Sequence, residues 1–153
     1  MKILTQKDIE DLWFTNEYSF DEFDEIKIVG CVSEALCSYY LHMSSYKVVD
    51  LSEAEFIEED KEESVCLGFS HSGPVYSNRI CTRHYDYLEM FLSDIMTDKI
   101  ILPPYVKRRH MNRIKDNSSI KKVIVHDECP LFSMKDGDVY NKKGTTLVFS
   151  NKK

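Results

Sequence analysis

The groups best suited to chemistry in this chain are five cysteines, five histidines and the carboxylates among them. Cys81 and His84 are spaced like a pair of metal ligands. A structural zinc site takes four ligands, commonly two such pairs, and only the isolated His42, His71, Cys66 and Cys129 remain to complete one. No metal is expected. A thiol nucleophile needs a base and an orienting group beside it. Cys81, His84, Asp86 and His126 would have to converge for a small Cys/His enzyme, and no local signature surrounds them. Cys31 and Cys37 lie in or beside apolar stretches, as buried free cysteines commonly do. The glycines are scattered and form neither G-x-G-x-x-G nor G-x-x-x-x-G-K, which removes the usual phosphate-binding loops. The expectation is a non-catalytic chain without catalytic residues, metal or cofactor.

Charge is the next chemical feature. The chain has 153 residues and a formal net charge of −6, from 26 acids and 20 bases. Residues 1–96 hold 20 acids and 7 bases, whereas residues 97–153 hold 6 acids and 13 bases. The sharpest basic run is Lys107 to Lys115, with only Tyr105 as a nearby aromatic. Nucleic-acid binding wants a continuous basic surface with exposed aromatics, so this run reads as a solvated segment facing acids, including the chain's own. Two halves of opposite sign also suit head-to-tail self-association. No apolar run is long enough to span a bilayer, and the first residues do not resemble a signal peptide. With an odd, scattered set of cysteines, a cytoplasmic protein is expected, or a secreted or surface one if a leader has been removed.

The elements that carry these groups show a period. Phe23, Ile26 and Ile28 are spaced i, i+3, i+5, and Tyr46, Val49 and Leu51 repeat that spacing 23 residues later. Thr97, Ile100 and Leu102 follow after 51 residues, and Ile120, Val123 and Val125 after a further 23. The long interval is one period plus a 28-residue insertion. In each unit the i+3 and i+5 residues share one face of a short strand. A single coil cannot bury that face, so stacked coils must share it. A 23-residue period lies in the leucine-rich-repeat range.

Three stretches carry a family resemblance. Ser118–Phe149 resembles the closing repeat of BspA-like leucine-rich-repeat proteins through Pro130, Phe132, Asp136, Gly137, Tyr140, Asn141, Lys142, Thr146 and Leu147. Asp98–Arg108 resembles that family's L-P-x-S-V unit through Ile100, Leu102, Pro103 and Val106, and Tyr46–Phe56 resembles its L-D-L-S-x-A unit. Thr97 stands where the pattern has Leu, and Arg109 where it has an apolar residue on the convex side. The resemblance implies a short α/β solenoid of about four coils with a parallel sheet, and a role in protein contact, often at bacterial surfaces.

The chain then reads as one domain. Residues 1–22 form a helical N-terminal cap, opened by a capping box at Thr5 and Asp8 and backed by Trp13 and Phe14. Residues 23–129 hold the repeats, with helices over 33–43 and 85–96, the latter lining one face with Leu88, Phe91, Leu92, Ile95 and Met96. An acidic, mobile loop is expected over 54–84, because Glu53–Glu63 holds six Glu and one Asp against one Lys. Residues 130–153 form a β-hairpin cap with turns at Asp136-Gly137 and Lys143-Gly144. Residues between the inward positions fall in three outward columns: Lys27, Asp50, Ile101 and Ile124; Glu25, Val48, Lys99 and Lys122; and Val29, Ser52, Pro103 and His126. The expected partner surface is drawn from Lys27, Val48, Asp50, Lys99, Ile101, Lys122, Ile124 and His126, and the expected partner is a protein. The acidic run also suits a regulatory or immunity-type protein that masks a basic partner.

Overall fold

Five short parallel strands form the spine, in the order β1 (Lys2–Leu4), β2 (Glu25–Val32), β3 (Ser45–Phe56), β6 (Met96–Ile101) and β7 (Lys122–Ile124). The structure is a computed structural model that describes residues 1–14, 23–33 and 44–151, the side chains of 12–14 excepted. The helix expected over 33–43, apart from Ser33, lies outside these residues, as do the side chains of Trp13 and Phe14.

The register follows the sequence period. Ile26 pairs with Val49, Val49 with Ile100 and Ile100 with Val123, so one transverse row joins the i+3 positions of all four units. These four and Ile28, Leu51, Leu102 and Val125 are buried. Each such side chain contributes ~1.5–3 kcal/mol by leaving water. Thr97, the polar member of its triplet, is buried too; its Oγ1 donates to Lys99 O at 3.0 Å and its amide to Ser119 Oγ at 3.3 Å. That pairing lets a hydroxyl stand where an apolar residue is expected.

The N-terminal segment is more than a helical cap. Lys2–Leu4 pairs in parallel with Ile26–Ile28 and extends the sheet by one strand. Helix α1 (Gln6–Phe14) follows, started by the expected capping box: Thr5 N donates to Asp8 Oδ2 at 2.9 Å and Asp8 N to Thr5 Oγ1 at 3.2 Å. The Thr5 amide holds the Asp8 carboxyl below its ordinary pKa. Ile9 seals the core, and Ser33 N donates to Gln6 Oε1 at 2.8 Å, fastening α1 to the end of β2.

The segment 54–84 is not a mobile loop. β3 runs on to Phe56, and β4 (Glu58–Ser70) and β5 (Gly73–Asp86) then form a long antiparallel ribbon. Its stability comes from cross-strand pairs rather than local propensity. Tyr85 donates to Glu63, Tyr87 to Glu59, and His84 Nδ1 lies 2.7 Å from Asp60 Oδ1. Lys61 and Arg83 both sit over the Tyr85 ring.

Two helices cover the inner face of the sheet. α2 (Tyr87–Asp94) buries Leu88, Phe91 and Leu92, with Ile95 just beyond, and Phe91 packs on Phe56 at 5.2 Å. Met96 is exposed instead, because the chain has already turned into β6. The basic run forms helix α3 (Arg108–Asp116), anchored in the core by His110, Met111 and Ile114. Between the two helices, Asn117 Nδ2 donates to Leu92 O and Ile95 O at 2.9 and 2.8 Å, satisfying carbonyls at the end of α2.

The closing unit is a three-stranded antiparallel sheet rather than a hairpin: β8 (Phe132–Lys135), β9 (Asp138–Asn141) and β10 (Leu147–Phe149). The turn at Asp136-Gly137 has φ of 52° and 82°, the left-handed geometry that an Asp-Gly turn supplies. Asn151 then caps the free edge of β7. Its side chain accepts from Val123 N and donates to Val123 O, both at 2.8 Å, as a sixth strand would.

Candidate functional site

The outward face of the sheet is built from residues that alternate with the buried rows. Ile3, Lys27, Asp50, Ile101 and Ile124 form one continuous transverse row, and Glu25, Val48, Lys99 and Lys122 form its neighbour. Seven of the eight expected surface residues therefore share this face. The third column does not hold. A bulge adds a residue to β3, so Val29 pairs with Glu53 and not Ser52. Pro103 is buried, and His126 lies beyond β7, where its Nδ1 accepts from Glu128 N.

The two ends of this face differ electrically. On β2 and β3, Lys27 reaches both Glu53 and Asp50, and Asp50 Oδ1 accepts from Ser52 N and Oγ at 2.9 and 2.6 Å. The Glu53 carboxylate raises the Lys27 pKa above its ordinary value. That end satisfies itself. On β6 and β7, Lys99 stands directly opposite Lys122, and neither has an ion-pair partner among the described residues. Like charges opposed across a sheet are unfavourable, so this pair favours an incoming carboxylate. The half-buried Ile101 and Ile124 lie on the same face two residues further along.

A second constellation sits behind the sheet. Asp86 is buried at the N-cap of α2, where its Oδ1 accepts from Glu89 N at 3.1 Å. Its Oδ2 receives Arg109 Nε at 2.6 Å and His110 Nε2 at 2.7 Å. The Lys107 amide donates into His110 Nδ1 at 2.8 Å. Since Nδ1 is the acceptor, the ring proton is on Nε2 and points at Asp86. Burial lowers the His110 pKa, against the pull of Asp86, and keeps the ring neutral. Both ring nitrogens are thus engaged, and the ring has no free nitrogen to act as a base. Arg109 also binds Glu58 at the ribbon root. The cluster fastens β4, α2 and α3 to one another, which explains a cation at a position where the resembled pattern has an apolar residue. The recess beside it is about 220 Å³, below the usual range of ligand pockets.

The Cys/His grouping does not assemble. Cys81 pairs with Glu63 and His84 with Asp60 in the ribbon register, so Cys81 and His84 point to opposite faces. Asp86 belongs to the cluster with His110. Among the described residues, no three His, Cys, Asp or Glu side chains are grouped to hold a metal, and no helix is long and apolar enough to cross a membrane.

The basic run divides by helical periodicity. Lys107, Arg109 and Arg113 face the chain's own acids, with Lys107 3.6 Å from Glu58 and Arg113 2.9 Å from Glu89. Arg108 and Lys115 lie on the other flank without an ion pair among the described residues. Lys107, Arg109 and Arg113, three of the bases expected to drive head-to-tail association, are thus paired with acids of the N-terminal half inside one chain. The acids of the ribbon root are likewise engaged, through Glu58, Glu59, Asp60 and Glu63.

No protein-family model matches this chain, and neither a curated protein nor a solved structure matches it significantly.

Proposed function

We propose that the chain is a short leucine-rich-repeat array of the BspA-like kind, acting as a non-catalytic protein-binding module through the outward face of its parallel sheet. The observation that carries this reading is the pair of 23-residue steps. Between β2 and β3, Lys47 N donates to Asp24 O at 2.7 Å and Lys47 Nζ lies 2.7 Å from Asp24 Oδ2. Between β6 and β7, Lys121 N donates to Asp98 O at 3.0 Å and Lys121 Nζ lies 2.9 Å from Asp98 Oδ1. The same residues perform the same step twice, as successive coils of a repeat do. Such exposed pairs add little stability; their weight here is the equivalence they mark.

The partner surface is centred on Lys99, Ile101, Lys122 and Ile124, with Val48 beside them. Preformed strands present it at little ordering cost, and the opposed lysines select a partner that brings carboxylates next to apolar groups. The engaged acids of the ribbon root favour this reading over an acidic mask for a basic partner.

The test is capture from native lysate on the immobilised chain, comparing wild type with Ile101→Lys/Ile124→Lys. A specific partner should be retained by wild type, lost at least tenfold by the double variant, and released by raised salt. Equal capture by both proteins would sink the assignment of this face.

A further inference from the structure

The outer half of the β4–β5 ribbon carries the most exposed large apolar side chains among the described residues. Phe69 is 84% exposed, Leu67 68% and Ile80 67%, and Val65, Val75 and Tyr76 are exposed beside them. No carboxylate occurs between Ser64 and Tyr85. A two-stranded ribbon is marginal alone, and apolar side chains gathered on one projection mark a contact surface.

We infer that the outer half of the ribbon is a dimerisation arm, which packs antiparallel against the same segment of a second copy about a two-fold axis at Leu67. The two strands differ in their fitness for this contact. β5 carries Pro74, which has no N–H to offer, and its Ser77–Arg79 segment bulges out of register. β4 carries Ser64-Val65-Cys66-Leu67-Gly68-Phe69-Ser70, without proline or charge. This stretch is self-complementary in residue type. Folded against itself about Leu67, it opposes Leu67 to Leu67, Cys66 to Gly68, Val65 to Phe69 and Ser64 to Ser70. The next step sets Glu63 against His71. Leu67 is the extra residue of a bulge in β4 and has no counterpart on β5, at the centre of the contact.

Charge selects the orientation. A parallel pairing would oppose the acids of Glu58–Glu63 to themselves, which is unfavourable. The antiparallel pairing carries each acidic root past the other copy's turn. The same acids repel an anionic bilayer, and the chain is net negative. The apolar residues of β4 itself, Val65, Leu67 and Phe69, bring less than the ~800 Å² per partner of a standard interface, so the contact belongs with weak, concentration-dependent ones.

The experiment is sedimentation of the 153-residue chain over roughly 1–200 µM, a span that brackets micromolar dissociation constants. A concentration-dependent species of twice the 18.0 kDa chain mass is expected. Leu67→Asp and Phe69→Asp should each sediment as monomers with unchanged circular dichroism, since both side chains are exposed. Ile101→Lys/Ile124→Lys should dimerise like wild type, which separates this contact from the sheet face. With Cys31, Cys37, Cys66 and Cys81 changed to Ser, Leu67→Cys should form a disulfide-linked dimer under mild oxidation, and Ser72→Cys should not. A monomer throughout the range, a dimer that survives Leu67→Asp, or equal cross-linking at both positions would overturn the inference. Binding to neutral phosphatidylcholine vesicles in place of self-association would also overturn it.

Discussion

Replacing Asp86 by Ala tests the cluster that joins the ribbon root to both helices. The cost has three parts. The α2 N-cap is lost, at about 1 kcal/mol. The buried Nε2–H of His110 loses its acceptor, at about 1–3 kcal/mol. Arg109 loses one contact but is partly exposed and keeps Glu58, so this part is at most ~0.5 kcal/mol. The sum is about 2–4.5 kcal/mol. Asp86→Asn keeps one oxygen for Glu89 N but turns an amide N–H toward two donors, and should cost about 2 kcal/mol. Urea unfolding followed by circular dichroism measures both, provided the m-value is unchanged. The double variant Asp86→Ala/His110→Leu should be less destabilised than the sum of its singles by more than about 1 kcal/mol, because the orphaned donor is gone. An Asp86→Ala cost under about 1 kcal/mol, or strict additivity, would refute the cluster as the fastening point.

Three further expectations concern half-buried Tyr105 and Asn117 and buried His110. Tyr105 Oη accepts from Phe56 N and donates to Ala54 O, both at 2.6 Å, so Tyr105→Phe should cost about 1–2 kcal/mol in urea unfolding. Burial pushes the Tyr105 hydroxyl up to about 12, so the tyrosinate absorbance lost in Tyr105→Phe should titrate well above the ordinary tyrosine range in the folded protein. Asn117→Ala removes the donors to Leu92 O and Ile95 O and should cost about 2 kcal/mol, with the same unfolding measurement as the check. His110 gives a pH dependence. The unfolded ring takes up a proton near its ordinary 6.5, and the buried ring only at lower pH. The unfolded state therefore binds more protons just below that value, so this group's effect is to lower stability as pH falls through the window. One proton gives at most about 1.4 kcal/mol per pH unit. His110→Gln should flatten that slope in unfolding measured from pH 7 to 5.

The strands were legible because a buried strand writes its own period. Ile26, Val49, Ile100 and Val123 are β-branched, and each is followed two residues on by a second inward apolar residue. The ribbon was not legible as a ribbon. Glu58–Glu63 has the composition of a solvated loop, and the residues that make it a strand, Tyr85, His84 and Tyr87, lie more than 20 positions away. Helix α3 was hidden because only His110, Met111 and Ile114 reach the core, within a run of cations whose compensating acids lie on other elements. β1 is three residues long, too short to show a period. The Asp86 cluster has one trace in the sequence. Asp86 precedes Arg109 by 23 residues and Glu89 precedes Arg113 by 24, so these acid–base pairs are spaced like Asp24 and Lys47. The recurrence that spaces the inward residues also sets which charges meet between neighbouring segments.

The proposed partner site on the outward face of β6 and β7 is open to direct measurement. Lysine acetylation footprinting with the captured partner tests it directly, because Lys99 and Lys122 are chemically addressable and lack an ion-pair partner among the described residues. At saturation their acetylation should slow on the order of tenfold, as expected for side chains taken out of solvent at an interface core, with Lys142 and Lys143 unchanged. Undiminished reactivity of Lys99 and Lys122 at saturation, with protection elsewhere, would contradict the account.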